Sequence, residues 1–172
     1  MEHLALGPAN GESGAAIRAD SVVIGSRGGR PYGLRYRIVC DAGWRVLSFA
    51  IETVDGQSLR LRSNAEGRWR DNGGRPLPRF DGCIDIDLAG TPFTNTLPIR
   101  RLNIAPQSGT AKLTMLYVPF DTFEPVTDGQ RYTCLVEDRL YRYEAEDRSF
   151  TADLPVDEDG LVTDYPSLFE RL

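Results

Sequence analysis

The chain has 172 residues, 41% of them hydrophobic, and a formal net charge of −5. This size and composition are typical of one globular domain that can bury a continuous core without metals or disulfides. An acidic balance with no basic run argues against nucleic acid as a partner, because phosphate binding requires clustered Lys and Arg. No window approaches the ~20 apolar residues that a membrane-spanning helix needs, and the first residues lack the basic and apolar regions of a signal peptide. We therefore expect a cytoplasmic protein.

The reactive side chains exclude several classes of enzyme. His3 is the only histidine, so a Ser-His-Asp or Cys-His site is not expected in the domain body. Cys40, Cys83 and Cys134 are far apart and form no CxxC pair, which favours buried thiols in a reducing compartment over a zinc site. We expect no metal and no cofactor.

The organisation along the chain indicates strands. Residues 1–16 are predicted to be a loose N-terminal segment, and residues 17–172 a single β domain. From Ile17 onward, apolar and polar residues alternate with a period of two, which is typical of half-buried strands. One predicted strand places its arginines, Arg35 and Arg37, on the face opposite to four apolar residues, which are Leu34, Tyr36, Ile38 and Cys40.

Turn signals separate these alternating runs. Asp55-Gly56 is a strong hairpin signal between two of them. Strands at this spacing predict an antiparallel all-β domain, either a barrel or a strongly curved sheet. The phrases Gly33-Leu34-Arg35-Tyr36 and Gly129-Gln130-Arg131-Tyr132 suggest an internal duplication.

One stretch breaks the pattern. In the predicted strand before it, Asp85 and Asp87 share a face about 7 Å apart. This spacing suits an acid–base pair or a divalent cation, and equally a solvated face. The prolines that follow, Pro92 and Pro98, predict a constrained loop or a short helical turn. Its hydroxyl and amide groups can form hydrogen bonds with the backbone of the loop, or they can bind a sugar or a headgroup. Its arginines can bind an anionic group of a ligand, or they can pair with Asp85 or Asp87. In the second case the predicted partner of Asp85 or Asp87 is Arg100. The candidate ligand-binding residues of this stretch are Asp85, Asp87, Thr91, Phe93, Thr94, Asn95, Thr96, Arg100 and Arg101.

A resemblance to a known family is carried by four segments of the sequence. They are residues 82–88, the string Thr91-Pro92-Phe93-Thr94-Asn95-Thr96-Leu97-Pro98 with the residues up to Leu102, residues 130–132, and the ending from Asp159 to Phe169. From about Tyr36 onward the chain resembles a family of bacterial domains described as putative glycolipid-binding. The resemblance implies a long antiparallel sheet curled into an incomplete barrel, or β-roll, similar to periplasmic lipoprotein carriers, with few helical turns.

The leading hypothesis is non-enzymatic binding of an amphipathic ligand, a glycolipid or a fatty-acyl molecule, in a cavity of the curled sheet. Polar loop residues would hold the headgroup, and aromatic rings would line the cavity or simply fill the core. The further candidate residues are Trp44, Trp69, Tyr117, Gln130 and Tyr132.

Two alternatives remain open at this point. A carboxylate-based hydrolase could act on a sugar or a phosphoester through Asp85 and Asp87, with a raised carboxyl pKa. A structural or partner-binding module could instead use the apolar ending, Tyr165 to Leu172, either as a plug on its own domain or as a dock for a second subunit.

Overall fold

The computed structural model describes residues 1–9, 14–27, 29–120, 122–166 and 168–170. The chain is mostly β, with two main sheets, one of them curled as a half-barrel. The first sheet has six antiparallel strands in chain order, each paired with its neighbour in sequence. These strands are β1 (Glu2–Pro8), β2 (Ile17–Arg27), β3 (Arg30–Cys40), β4 (Val46–Thr53), β5 (Ser58–Ser63) and β6 (Trp69–Asp71).

The second sheet has five strands in the order β11-β10-β9-β8-β7. All of its pairs are antiparallel except β7 with β8, which is parallel. The strands are β7 (Ile86–Leu88), β8 (Thr110–Val118), β9 (Val126–Val136), β10 (Leu140–Ala145) and β11 (Thr151–Pro155), followed by a small hairpin of β12 (Asp164–Tyr165) and β13 (Phe169–Glu170).

Within the described residues one α-helix, α1 (Phe93–Leu102), follows β7, and short 3₁₀ turns occupy Pro78–Phe80 and Pro106–Ser108. The crossover through α1 is what allows β7 and β8 to run parallel. The sequence predicted at most a short helical turn here. The observed helix is longer than that turn. Every residue from Phe93 to Ile99 is buried, so the sequence carries no one-sided apolar stripe that would have revealed the helix.

The predicted all-β class with a curled sheet is confirmed. In β3 the apolar residues at alternate positions are buried while Arg35 and Arg37 are exposed, as the period of two predicted. The turn at Asp55-Gly56 joins β4 to β5, with Gly56 in the positive-φ region at 91°.

The N-terminus differs from the expected loose segment. Residues Glu2–Pro8 form β1, which pairs along its length with β2. Leu4 packs against the first core, so this strand gains apolar burial as well as a hydrogen-bond ladder. Residues 10–13, which belong to the same predicted segment, lie outside the described residues, and the internal duplication stays a prediction.

Two hydrophobic cores lie on either side of α1. Phe93 and Leu97 of the helix pack into the first core, against the six-stranded sheet, whereas Ile99 packs into the second core, under the five-stranded sheet. Strand β8 likewise presents Leu116 to the first core and Met115 to the second. The segment from β7 to β8 is therefore the wall shared by both cores. In the described part of the chain, no helix has the length and apolar character required to cross a bilayer.

Candidate functional site

The segment that opens α1 is held by one tyrosine from each sheet. The hydroxyl of Tyr36 in β3 lies 3.3 Å from Thr91 Oγ1 and donates to the Glu2 carboxylate at 2.6 Å. The Tyr36 ring stacks on Phe93 with 6.4 Å between centroids. From the other sheet, the hydroxyl of Tyr132 in β9 donates to Asn95 Oδ1 at 2.8 Å. Thr91, Phe93 and Asn95 are thus fixed by both sheets at once.

Asp87 is the centre of a polar network on the five-stranded sheet. Thr94 Oγ1 donates to Asp87 Oδ1 at 3.1 Å, and Gln130 Nε2 donates to Asp87 Oδ2 at 2.7 Å. The same Gln130 amide also lies 3.0 Å from the carboxylate of Asp128, and Gln130 Oε1 is 3.2 Å from the Tyr132 hydroxyl. The structure therefore joins four of the predicted site residues with Asp87 in one network: Thr94, Asn95, Gln130 and Tyr132.

Burial governs the electrostatics of this network. It raises the pKa of Asp87, although the hydrogen bonds from Gln130 and Thr94 act in the opposite direction, and the charge of Asp128 raises it further. Burial also raises the pKa of Tyr132, with the charge of Asp87 as the next cause. The Tyr132 phenol therefore stays protonated as a hydrogen-bond donor.

Two more tyrosines are close enough to Asp87 for its charge to affect their pKa values. Tyr143 and Tyr165 are 9% and 8% exposed. Burial is the main cause that raises the pKa of each phenol, and the negative charge of Asp87 is the next. Within the described residues, neither hydroxyl has a hydrogen-bond partner, and the buried side-chain polar atoms that lack one are Ser63 Oγ and Arg131 Nε. The Tyr143 and Tyr165 hydroxyls therefore reach solvent at the edge of the Asp87 network.

Aromatic rings extend from this point toward the surface. Tyr132 packs edge-on against Tyr143, with ring centroids 5.6 Å apart. Phe150 lies 6.0 Å from Tyr143 and 6.1 Å from Tyr165, and Phe169 continues the series 6.1 Å beyond Tyr165. Phe150 is 39% exposed, so the series reaches from the buried network to open surface.

Asp85 has a different environment from Asp87. Its carboxylate binds the guanidinium of Arg101 through Nε at 2.9 Å and Nη2 at 2.5 Å. Both side chains are largely withdrawn from solvent, and burial raises the pKa of Asp85 while Arg101 opposes that rise. The expected ion pair of this stretch thus forms with Arg101 and not with Arg100, because Arg101 lies on the helix face that Thr94 also presents toward β7.

The remaining predicted residues lie apart from the Asp87 network. Thr96 Oγ1 donates to the carbonyl of Gly160 at 2.9 Å. Arg100 is exposed and its guanidinium lies over the Trp44 ring, 5.5 Å from the centroid. Trp69 is in the first core, where its indole N–H donates to the Cys83 carbonyl at 2.7 Å. Each has a partner within the protein.

Sequence reasoning missed Tyr143, Tyr165 and Asp128 as members of the site. Asp128 shares a strand face with Gln130, so the period of two already placed it there. The turn at Glu137-Asp138 implies a hairpin in which Tyr143 lies opposite Tyr132, and this pairing is observed. No comparable signal locates Tyr165, because it lies near the C-terminal end of the sequence and no predicted hairpin pairs it with the site. In the described part, no group of His, Cys, Asp and Glu residues is suited to hold a metal ion.

Comparisons with known proteins agree with this architecture. A crystal structure of a DUF1089 family protein from Pseudomonas aeruginosa matches with a TM-score of 0.82 and 40% identity, covering 99% of this chain and 92% of that one. Among curated proteins there is no match. The family model described as "Putative glycolipid-binding" matches residues 1–171, and the chain therefore belongs to that family.

Proposed function

We propose that this protein binds an amphipathic ligand, a glycolipid or another acylated molecule, without chemical turnover. The polar end of the ligand meets the Asp87 network, and its apolar part lies on the aromatic series that runs outward from Tyr143. The description of the family and the curled sheet both support this class of ligand.

The observation that carries the proposal is the pair of tyrosine hydroxyls at the edge of the network. Tyr143 and Tyr165 are mostly buried, yet their hydroxyls have no partner among the described residues. Because each hydroxyl reaches solvent from a mostly buried ring, it can donate a hydrogen bond to a ligand in place of water. Sugar hydroxyls fit, because they can accept from the phenols and donate to the Asp87 and Asp128 carboxylates.

The neighbouring rings supply the second half of the site. Phe150 and Phe169 flank Tyr165, and Leu168 nearby in sequence is 55% exposed. Aromatic rings bury large areas of apolar ligand surface, and tyrosine adds a polar tip that orients it. A ligand with a hydroxyl-rich head and a hydrocarbon part matches a polar network that is continuous with a row of aromatic rings.

The predicted ligand-binding residues divide into two roles under this proposal. Asp87 contacts the ligand, while the buried side chains of Gln130, Thr94, Asn95 and Tyr132 hold the network in position. The others support the wall around the site, and these are Trp44, Trp69, Asp85, Thr91, Phe93, Thr96, Arg100 and Arg101. We further propose that the protein works in the cytoplasm, which the three free, buried cysteines support.

The geometry gives less support to a hydrolase acting through Asp85 and Asp87. The bidentate ion pair with Arg101 engages both oxygens of Asp85. A general acid or base must be able to exchange a proton with the substrate, and a carboxylate held in this way is poorly placed to do so.

The experiment compares two probes of equal chain length by calorimetry, an octyl glucoside below its micellar concentration and octanoate. We expect Tyr143→Phe and Tyr165→Phe each to weaken glucoside binding about tenfold, the value of one lost hydrogen bond, and to leave octanoate binding unchanged. Tyr141→Phe is the matched control, because Tyr141 lies on the same strand but contacts Cys134 and not Asp87. A wild-type protein that binds neither probe, and that carries no lipid after incubation with a lipid extract, would disprove the proposal.

A further inference from the structure

A second candidate site lies on the first sheet, whereas the Asp87 network lies on the second sheet. An open pocket of about 370 Å³ is lined by Arg62, Ser63, Asn64, Arg68 and Arg70, at the hairpin that joins β5 to β6. This volume is within the range of pockets that bind small ligands.

Three guanidinium groups share this pocket with little compensating negative charge. Arg62 and Arg70 lie directly opposite one another on β5 and β6, and both are exposed. Like charges in such a cross-strand pair repel each other. Arg70 donates to the carbonyl of Gly74 at 3.0 Å, and Arg62 has no partner among the described residues.

The carboxylates near the hairpin offset this charge only in part. Arg68 pairs with Asp81 at 2.8 Å, and the Glu66 carboxylate accepts from Asn64 Nδ2 at 3.2 Å. Asp71, next to Arg70, pairs with Arg75 at 3.1 Å. The pocket therefore keeps a net positive charge although the whole chain is acidic.

The hairpin that carries the arginines is firmly anchored. Gly67, with φ of 77°, accepts a backbone hydrogen bond from Gly82, and a Cβ at this position would meet the Gly82 backbone at 2.9 Å. Trp69, between Arg68 and Arg70, is buried and bonded to Cys83. Such anchoring limits the conformational entropy that is lost on binding, because the backbone that presents the arginines is already ordered.

We propose that this pocket binds a phosphate group, either a free phosphate or the phosphate of an anionic lipid headgroup. Guanidinium groups bind phosphate oxygens in bidentate geometry, and an anion between Arg62 and Arg70 would replace their repulsion by two attractions. This site is separate from the one proposed for the amphipathic ligand, so Tyr143→Phe and Tyr165→Phe should not change its affinity for phosphate.

The first arm of the test titrates inorganic phosphate at constant ionic strength and follows backbone amide resonances of residues 62–70. We expect saturable shifts in the wild type, with an apparent Kd raised at least tenfold in Arg62→Gln and in Arg70→Gln. Arg60→Gln is the matched control, because Arg60 is on the same face of β5, is paired with Glu52 at 3.8 Å and does not line the pocket. The control should stay within about twofold of the wild type.

The second arm distinguishes the sources of the phosphate. Sedimentation with phosphatidylglycerol vesicles but not with phosphatidylcholine vesicles, lost in the Arg62→Gln/Arg70→Gln variant, would assign the pocket to a lipid headgroup. Phosphate binding without sedimentation would assign it to a free phosphate. Arg62→Lys/Arg70→Lys keeps the charge but loses the planar fork, so weakened phosphate binding there supports a shaped pocket. Absence of both phosphate binding and sedimentation, or an equal loss in Arg60→Gln, would overturn the proposal.

Discussion

At the scale of single residues, two aspartates close together in sequence have distinct roles. Asp85 is held by Arg101, which makes it part of the wall between the cores. Removing one partner of such a buried ion pair lowers the stability of the fold far more than replacing both, because the remaining charge is left buried without a partner. Asp87 has only neutral donors as direct partners, Thr94 and Gln130, so its charge is less well compensated.

This difference predicts how Asp87 affects stability as pH changes. Burial raises the pKa of Asp87 above its ordinary value of 3.8, so between 3.8 and the raised pKa the folded state binds a proton that the unfolded state has released. The resulting stabilisation is fully present below pH 3.8 and is lost as pH rises through the folded pKa. We expect Asp87→Asn, which lacks this group, to gain stability relative to the wild type as pH rises above 4.

Urea unfolding of the two proteins at a series of pH values measures this difference. Because the other carboxylates are common to both proteins, their contributions largely cancel. A difference in the free energy of unfolding that is constant with pH would mean that the pKa of Asp87 is the same in both states.

At the scale of elements, α1 shows why one part of the fold was predictable and another was not. Strands β3 and β5 have one covered and one exposed face, so alternation along their sequence reveals them. The helix is buried around most of its surface, and Thr94 and Thr96 meet partners there, so it has no stripe to detect. The parallel pairing of β7 with β8 depends on that helix and was missed with it.

The same reasoning applies to the candidate site. Asp87, Asn95, Gln130 and Tyr132 could be named from the sequence because they lie in unusual polar stretches or repeated phrases. Tyr143 and Tyr165 look like ordinary core residues in the sequence, and their significance appears only when three separate segments meet beside Asp87.

The C-terminal hairpin of β12 and β13 carries the next prediction. Tyr165 contacts Tyr143, Phe150 and Phe169, all within the same chain. We expect Tyr165→Ala to lower the free energy of unfolding by about 3 kcal/mol, since it removes a large, mostly buried ring. Chemical denaturation gives the stability, and light scattering gives the mass in solution.

Leu168→Ser is the control, because Leu168 is 55% exposed and should tolerate the change. A lower mass for Tyr165→Ala, with stability unchanged, would instead indicate that this ending docks on a second subunit.

At the scale of the whole molecule, the three cysteines report on the two cores. Cys40 and Cys83 are buried in the first core and Cys134 in the second. Burial raises the pKa of Cys83 to about 11, so about one thiol in ten thousand is ionised at pH 7. We expect a thiol reagent to label none of the three within minutes in the native protein and all three in urea.

Labelling of one cysteine at a urea concentration that leaves the others protected would show that the two cores open separately. A single transition for all three would show that the segment from β7 to β8, which packs into both cores, makes them one cooperative unit.

The order of the six-stranded sheet bears on synthesis at the ribosome. Each of its strands pairs with the one made just before it, so nascent chain ending at Asp71 already contains every partner of this sheet. The residues of α1 that cover it emerge later, and β7 finds its partner only when β8 has followed. Until then the growing polypeptide exposes hydrophobic surface. Intermediates of this kind are prone to aggregation, and chaperones shield them.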